Sequence, residues 1–323
     1  MTLFGVVDAA YAKGTGTVSS KTQLKNSGYN SSRIGFRGVE DLGGGLKASF
    51  HLEAGVNNDD GTASASNTNN QAVTSANAGT QGLTFNRRST VSVESSSLGE
   101  VRLGRDYTPQ FWTETAYDPF GTNGVGTNIA FNKGGVTGVR ASNSIGYLSP
   151  SFSGLKVWAQ AYMGENASTA AVKAGDGSAF RLSYDNGPLS VALASSSTKT
   201  ALNVDTKTSN IGGSYDLGVA KLFAQTNKTK IDGAKDIKGS LFGATAPVGA
   251  GTVRVALSST AKGDEKSNQF ALGYVYSLSK RTDLYATYAS VKNKGGAAVA
   301  LNGSTTAANA KSTGYDFGVK HSF

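Results

Sequence analysis

The sequence predicts an all-β protein, a 16-stranded antiparallel barrel that crosses a membrane with its strands. Three observations support this fold class: side chains alternate along many segments, long and short polar connections separate these segments, and the chain ends on an aromatic residue. The hydrophobic fraction is 38%, and the chain has 42 glycines against 5 prolines. A barrel with a watery interior needs apolar residues mainly on its outer face, so this composition fits the class.

The alternation is clearest at the C-terminus. Tyr315, Phe317 and Val319 share one face of an extended strand, and Asp316 lies on the other. Successive side chains of a strand point to opposite faces, so such segments are strands with two unlike faces. The last residues of a soluble domain are usually frayed and polar, so the terminal Phe323 indicates a strand that closes a sheet in a membrane.

Connections rich in Gly, Asn, Ser, Thr and Asp separate the strands, and long ones alternate with short ones. The longest are residues 57–82, 196–210, 261–267 and 292–313. This alternation is typical of outer-membrane barrels. At about 20 residues for each strand and its connection, the length corresponds to roughly 16 strands. No linker divides the chain, so we expect one domain over residues 1–323.

One connection differs from the others. Residues 106–139 carry several aromatic side chains, Trp112 and Phe120 among them, and solvated loops seldom do so. We expect this segment to fold inward against the barrel wall, where it narrows the channel and where Glu114 and Asp118 reach the lumen. A cap packed on the rim of the barrel is the alternative.

Several motifs resemble the general porins of Gram-negative outer membranes, in the beta-proteobacterial branch. They are LFGVVD at 3–8, SRIGFRGVEDLGGGLKA at 32–48, NSIGYLSP at 143–150, LSKRTDLYA at 278–286 and GVKHSF at 318–323. The resemblance implies a 16-stranded barrel in the cell outer membrane, a homotrimer, an inward third loop and passive diffusion of small hydrophilic solutes. Arginine-rich members of this branch are anion-selective. Phe323 matches the terminal residue that the barrel-assembly machinery uses.

The formal net charge is +9, and the face that carries the charge decides its effect. Apolar residues mark the lipid side of each strand, and charges facing lipid are costly, so basic residues on the opposite face line the lumen. The lumen-lining residues by this rule are Arg33, Arg37, Lys47, Arg88, Arg102, Arg140, Lys156, Arg181, Arg254 and Lys320. Fewer acids share these faces, so the lumen is predicted to be net positive.

Rings of Arg or Lys are a common lining of anion pores, so some of these residues should form the constriction. The candidates are Arg33, Arg37, Arg88, Arg140, Arg87 and Arg102. The four named first are expected to face the inward loop. Arg87 ranks lower because it has the same parity as the apolar Val91.

The sequence therefore predicts a water-filled, anion-selective porin that passes inorganic anions, phosphate and small organic acids. A channel specific for one anion or organic acid, or a blocked structural or adhesin barrel, is the alternative. The expected partners are outer-membrane lipid, two further copies of the chain and the barrel-assembly machinery, and not nucleic acid. A strand begins directly after Met1, so any signal peptide is expected to have been removed.

Neither an enzyme nor a cofactor is predicted. With two histidines and no cysteine, the chain offers little material for a catalytic site and none for a thiolate metal site. Residues 57–61 offer oxygen ligands for calcium but lack the full ligand spacing of a known calcium loop.

Overall fold

A computed structural model describes residues 1–63, 65–71, 82–131, 133, 135–167, 169–170, 173–200 and 204–323. Within these residues the chain forms eighteen strands, one short α-helix and one 3-10 turn at Gly135–Thr137. The strands and the helix are β1 (Thr2–Thr15), β2 (Ser20–Asn26), β3 (Arg33–Gly43), β4 (Leu46–Asn57), β5 (Thr62–Ala63), β6 (Arg88–Ser95), β7 (Gly99–Tyr107), α1 (Pro109–Ala116), β8 (Arg140–Leu148), β9 (Leu155–Tyr162), β10 (Gly177–Asn186), β11 (Leu189–Lys199), β12 (Asp205–Asp216), β13 (Lys221–Ile231), β14 (Ile237–Val248), β15 (Gly251–Lys262), β16 (Glu265–Ser277), β17 (Thr282–Lys294) and β18 (Lys311–Ser322).

Sixteen strand positions close the barrel. The long strands pair antiparallel with their neighbours in chain order, and β1 pairs with β18 from Val6–Ser322 to Thr15–Thr313. β2 and β3 occupy one position, because β2 pairs with the second half of β1 and β3 with the first. β5 is a two-residue extension paired with the end of β4. With β2 and β3 counted as one position and β5 left out, the eighteen strands occupy sixteen positions. The predicted fold class is therefore confirmed.

The outer face of the barrel is apolar and the inner face is polar. Phe317 is 60% exposed, whereas the adjacent Asp316 is 1% exposed. The same contrast holds in β1, where Tyr11 is exposed and Asp8 is fully buried. This distribution is the reverse of that in a soluble protein and fits a barrel with hydrocarbon outside and polar groups inside. None of the helices in the described residues is long and apolar enough to cross a membrane.

Most of the short turns, and both chain termini, lie at one end of the barrel, called here the inner end. Two residues connect β10 to β11, and two connect β14 to β15, at this end. The longer connections, including residues 108–139 and 295–310, lie at the opposite or outer end. The asymmetry matches that of outer-membrane barrels, with short turns on the periplasmic side.

Two of the predicted loops are largely strand. β11 extends to Lys199 and β12 begins at Asp205, within predicted loop 196–210; residues 201–203 lie outside the described part. A two-residue turn joins Lys262 to Glu265 in place of predicted loop 261–267. These segments are polar, which resembles loop composition. Their backbone groups nevertheless pair across strands, because ladder hydrogen bonds do not require apolar side chains.

Candidate pore constriction

The segment between β7 and β8, residues 108–139, folds into the lumen and is called here the inward loop; residues 132 and 134 lie outside the described part. The Thr108 N–H donates to the Val139 carbonyl at 3.0 Å, which closes the loop at its base. α1 begins at Pro109, where a residue without an N–H loses no helical hydrogen bond. The loop therefore leaves the wall as a helix and returns beside its origin.

The helix of the inward loop lies along the wall formed by β10, β11 and β12. The side-chain amide of Asn210 donates to the Gln110 carbonyl at 2.9 Å. The Arg181 guanidinium donates to the Thr113 hydroxyl at 3.3 Å. Polar side chains of the lumen face thus hold the helix, so predicted lumen residue Arg181 binds the loop instead of facing open water.

Two wall glycines leave room for the loop. A Cβ atom on Gly212 would lie 2.5 Å from the Tyr117 ring, and one on Gly239 would lie 2.1 Å from the Cβ of Ala130. Both distances are shorter than real Cβ contacts, so a larger side chain at either position would displace the loop. These glycines therefore help to set the width of the lumen.

The second half of the inward loop crosses to the seam at which the barrel closes. The Asp316 carboxylate accepts the Val125 N–H at 2.7 Å, and the side-chain amide of Gln269 donates to the Val125 carbonyl at 3.0 Å. Phe120 and Val125 join Leu241 in a buried apolar cluster. The loop is thus anchored on opposite walls, which makes it a fixed partition of the lumen.

Both loop acids are buried, so the expectation that they reach the lumen is wrong. Glu114 is 3% exposed and Asp118 is 4% exposed. Glu114 Oε1 accepts the side-chain amide of Asn227 at 3.4 Å. Asp118 accepts the backbone N–H of Phe120 at 2.8 Å and that of Asn128 at 3.1 Å. Each carboxylate is turned into the packed loop because amide donors meet it there.

Burial raises the pKa of Asp118 to about 6, although its backbone N–H donors and the charge of Arg254 act in the opposite direction. The folded loop therefore favours the protonated carboxyl group. The stability gained from protonation is fully present below the ordinary pKa of about 4. It is lost as the pH rises through about 6.

Three arginines face the inward loop across a gap. Arg33 on β3, Arg87 immediately before β6 and Arg140 at the start of β8 line a cavity of about 360 Å³. Trp112 and Thr122 of the loop line the opposite side. Guanidinium groups on one wall thus face hydroxyl and aromatic groups on the other, and this gap is the candidate constriction.

Tyr107 positions two of the three arginines. Its hydroxyl accepts from the Arg87 guanidinium at 2.7 Å and from the Arg140 guanidinium at 3.0 Å. The Arg140 guanidinium also lies 4.4 Å from the centroid of the Tyr107 ring, a cation–π distance. Tyr107 in turn stacks on Phe111 of α1 at 5.1 Å. One tyrosine therefore links the arginine wall to the loop.

The gap carries a surplus of positive charge. Glu53 forms an ion pair with Arg87 and lies 4.0 Å from Arg33 and 3.3 Å from His51. Among the described residues, no carboxylate lies within 4.0 Å of Arg140. Three guanidinium charges less one carboxylate charge leave a net charge of +2 at the gap.

Arg88 and Arg102 do not line this gap, because acids on the same wall bind them. Arg102 donates to both oxygens of Glu100, at 2.7 and 2.8 Å, and to Asp106 at 3.2 Å. Arg88 lies 3.5 Å from Asp106. Strand parity assigns a residue to the lumen face, but it does not report height along the barrel or the presence of a partner acid.

Strand parity ranked Arg37 above Arg87 as a constriction residue, and the structure reverses this order. Arg37 is exposed toward the inner end, where its guanidinium lies 5.2 Å from the centroid of the Phe4 ring. Arg87 precedes the first residue of β6, so strand alternation does not govern its direction. The structure brings Arg87, and not Arg37, to the gap.

The predicted lumen lysines lie away from the gap. Lys47 and Lys156 are exposed near the inner end, at the starts of β4 and β9. Lys320 forms a salt bridge with Asp283 at 3.0 Å. These residues therefore contribute to the inner vestibule rather than to the constriction.

Arg254 clamps the inward loop from the opposite wall. It is 5% exposed, and its guanidinium lies 4.8 Å from the centroid of the Tyr29 ring and 4.6 Å from that of Phe120. Cation–π contacts on both sides join the loop to the connection between β2 and β3. Arg254 was predicted to line the lumen, but it instead holds the packed loop in place.

Arg105 lies in the wall of the site, and strand parity did not predict this position. It donates to the Asn86 carbonyl at 2.6 Å and to the Ser142 hydroxyl at 2.7 Å, and so braces the wall behind the gap. The register of β7 and β8 shifts after Gly104, whose φ is +124°. A glycine inside a strand often marks a bulge, and this was the available sequence signal.

Two further predicted features have clear positions. Phe323 continues the β1–β18 seam, because its N–H donates to the Gly5 carbonyl at 3.1 Å and its carbonyl accepts the Gly5 N–H at 3.0 Å. Residues 57–61 form a turn in which Asp60 accepts the N–H and the hydroxyl of Thr62, at 2.9 and 2.7 Å. The sequence did not predict calcium binding at this turn, because the turn lacks the full ligand spacing of a known calcium loop. In the described part of the chain, no three His, Asp or Glu side chains group as metal ligands.

Comparison with known proteins identifies the barrel. A family model for Gram-negative porins matches residues 1–296. The chain belongs to the Gram-negative porin family. This porin is 39% identical to outer membrane porin protein 32 of Delftia acidovorans, over 100% of this chain and 94% of the relative. It is 29% identical to an outer membrane porin protein of Bordetella pertussis, with the same coverage.

A solved structure extends the likeness to three dimensions. The anion-selective porin from Comamonas acidovorans superimposes on this porin with a TM-score of 0.87 at 37% identity, over 100% of this chain and 99% of that chain. The family, the closed barrel and the names of the relatives together place this porin in the outer membrane as a channel.

We expect Gly212→Leu to lower the single-channel conductance of this porin. The added side chain overpacks the contact with Tyr117, at a cost of about 1–3 kcal/mol, and pushes α1 into the lumen. The matched control is Gly213→Leu, which makes the same change on the outward face of the same strand, where the added Cβ would crowd Val191 and Ser190 of the wall but not the loop. Planar-bilayer recording checks this, and equal conductances for the two variants would contradict it.

We expect anion preference to increase as the pH falls from 7.5 to 5. Asp118, with its pKa of about 6, loses its negative charge over this interval, which makes the lumen more positive. Reversal potentials in a salt gradient measure the effect, with His51 replaced by Gln so that no lumen imidazole contributes. Asp118→Asn in the same background should show the low-pH preference at both pH values; a persistent pH response would refute the assignment.

Proposed function

We propose that this porin is an anion-selective channel for passive diffusion of inorganic anions, phosphate and small organic acids. The observation that carries the proposal is the net +2 charge at the gap, where Arg33, Arg87 and Arg140 face the inward loop. The anion-selective porin from Comamonas acidovorans, 37% identical over the whole chain, supports the same conclusion.

The magnitude of the electrostatic effect is sufficient for selectivity. One unpaired guanidinium about 8 Å from a permeating cation, at an effective dielectric of about 20, repels it by about 2 kcal/mol. This repulsion corresponds to roughly thirtyfold exclusion before salt screening. Arginine suits the role because it remains charged and its planar fork matches carboxylate and phosphate oxygens.

A channel specific for one phosphate or carboxylate solute is the second candidate. The convergence of Arg33, Arg87 and Arg140 on one cavity favours it, because several forked donors at a single point can hold an anion briefly. Blockade of current by one solute and not by others would distinguish this channel from a general one.

The remaining expectations belong to the same proposal. This porin acts without enzymatic chemistry or a cofactor, and its two histidines are engaged by Glu53 and Thr282. It assembles as a homotrimer in outer-membrane lipid, and nucleic acid has no role in its function. The barrel-assembly machinery recognises the strand that ends at Phe323. Heat-sensitive migration on gels tests the trimer, and slower assembly of Phe323→Ser tests the role of the last residue.

The triple variant Arg33→Gln, Arg87→Gln and Arg140→Gln should lose its anion preference. Removal of three charges leaves Glu53 without an arginine partner, so the chloride-to-potassium permeability ratio should fall by about tenfold or more. Reversal potentials in a potassium chloride gradient provide the measurement.

The control for this experiment is Arg102→Gln. Arg102 lies on the same wall but is bound by Glu100 and Asp106, outside the gap. Its loss should change the permeability ratio much less than the triple replacement. An unaltered permeability ratio in a folded triple variant would contradict the proposal.

A further inference from the structure

Trp112 exposes a large aromatic surface inside the barrel. It is 41% exposed and lines the gap on the side opposite the arginines. Exposed aromatic residues on the strands, such as Phe270 and Tyr288, lie on the outer face and meet hydrocarbon instead. Tryptophan is highly buried on average in folded proteins. A half-exposed indole on the conduction path is therefore available to passing solutes.

The hydroxyl groups of the inward loop at the gap are used within the loop. The Thr115 hydroxyl donates to the Gly121 carbonyl at 3.2 Å and accepts from the Thr122 hydroxyl at 3.1 Å. These contacts hold the loop together. Trp112 thus provides the main surface that the loop offers to a solute in the gap.

Neighbouring rings fix the orientation of the indole without covering it. Tyr107 and Phe111 stack on each other, with centroids 5.1 Å apart and an interplanar angle of 11°. Trp112 meets these two rings at 58° and 56°, with centroid distances of 5.4 and 6.1 Å. Because neither ring lies parallel to the indole, much of its surface stays open, and its orientation is set before a solute arrives.

The indole lies close to the arginine wall. The Tyr107 ring is 5.4 Å from the indole and 4.4 Å from the guanidinium carbon of Arg140. The indole and this guanidinium are therefore less than about 10 Å apart. A single-ring carboxylate spans such an interval, with its ring stacked at about 5 Å between centroids and its carboxylate in hydrogen-bond contact with the guanidinium.

Arg140 retains free donors for a carboxylate. A guanidinium has five N–H groups, and the hydrogen bond of Arg140 within the described residues runs from Nη2 to the Tyr107 hydroxyl at 3.0 Å. No carboxylate of these residues lies within 4.0 Å of Arg140. The cavity has a volume of about 360 Å³, near the lower end of the range for ligand sites. It therefore suits one ring with one carboxylate.

We propose that the gap selects carboxylates that carry a single aromatic ring. Arg140 binds the carboxylate together with the neighbouring arginines, and Trp112 stacks on the ring. Aromatic walls with a few placed polar groups are the usual construction of a ligand site. The inference rests on the proposed function, because the gap must admit anions before it can sort them. It adds Trp112 as a specificity-determining residue.

The test compares benzoate with cyclohexanecarboxylate as blockers of the single-channel chloride current at pH 7.5. Both acids are ionised at this pH and are similar in size, but the second has no π face. Wild-type porin should be half-blocked by benzoate at a concentration about fivefold lower, because aromatic pairs gain free energy beyond burial of their area.

Two substitutions separate the ring from the charge. Trp112→Leu keeps an apolar side chain without a π face, so both acids should block it at about the same concentration. Trp112→Phe restores a ring and should restore the preference for benzoate. Arg140→Gln should weaken block by both acids by a similar factor, because it removes a donor that both carboxylates use.

The matched control is Phe4→Leu. Phe4 is a ring beside a cation elsewhere in the barrel, with the Arg37 guanidinium carbon 5.2 Å from its centroid, toward the inner end. This variant should prefer benzoate to the same extent as wild type.

Fluorescence provides a second measurement that does not depend on conductance. The chain has two tryptophans, so Trp158→Phe leaves Trp112 as the reporter. Benzoate should change its emission saturably, with half the change near the half-blocking concentration.

Equal half-blocking concentrations of the two acids in wild type would overturn the inference, as would a benzoate preference that persists in Trp112→Leu. Equal block by benzyl alcohol, which carries no charge, would also overturn it. The chloride-to-potassium permeability ratio of wild type, measured in the same membranes, decides separately whether the channel is anion-selective.

Discussion

The structure depends on one constraint, which is the pairing of backbone N–H and C=O groups between neighbouring strands. In hydrocarbon these groups have no water to bind, so a sheet that spans a membrane must close on itself. The β1–β18 seam meets this requirement, and the terminal Phe323 extends it to the last residue. Closure also creates the lumen, because sixteen strands enclose more space than their own inward side chains can fill.

The inward loop converts that lumen into a narrow passage. Its helix is held by amide and guanidinium side chains of one wall, and its second half by Asp316 and Gln269 at the other. Wall glycines allow the close approach. The loop therefore behaves as part of the wall, and the gap opposite it is defined by packing on both sides.

The charge of the passage follows from ion pairing more than from composition. Several basic residues face inward, but Arg88, Arg102 and Lys320 are matched by acids. Surplus charge survives at Arg33, Arg87 and Arg140, because Glu53 pairs with the first two and no carboxylate of the described residues lies within 4.0 Å of the third. Unmatched charges are the ones available to solutes.

By itself, the sequence determined the barrel and the direction of most side chains. Alternation with a period of two is a local property that each strand displays independently, so the outer face and the inward position of Arg33 and Arg140 were predictable. The aromatic residues of the inward loop likewise indicated that it packs inside.

Only the tertiary structure decided which cations meet at the gap. Arg87 reaches it because it precedes β6, whereas Arg37 lies nearer the inner end. Glu114 and Asp118 turn into the loop, where amide donors from distant segments meet them. Strand boundaries, bulges and ion pairs depend on partners that are remote in the sequence. A pattern read along one strand therefore reports the face of a residue but neither its height nor its partner.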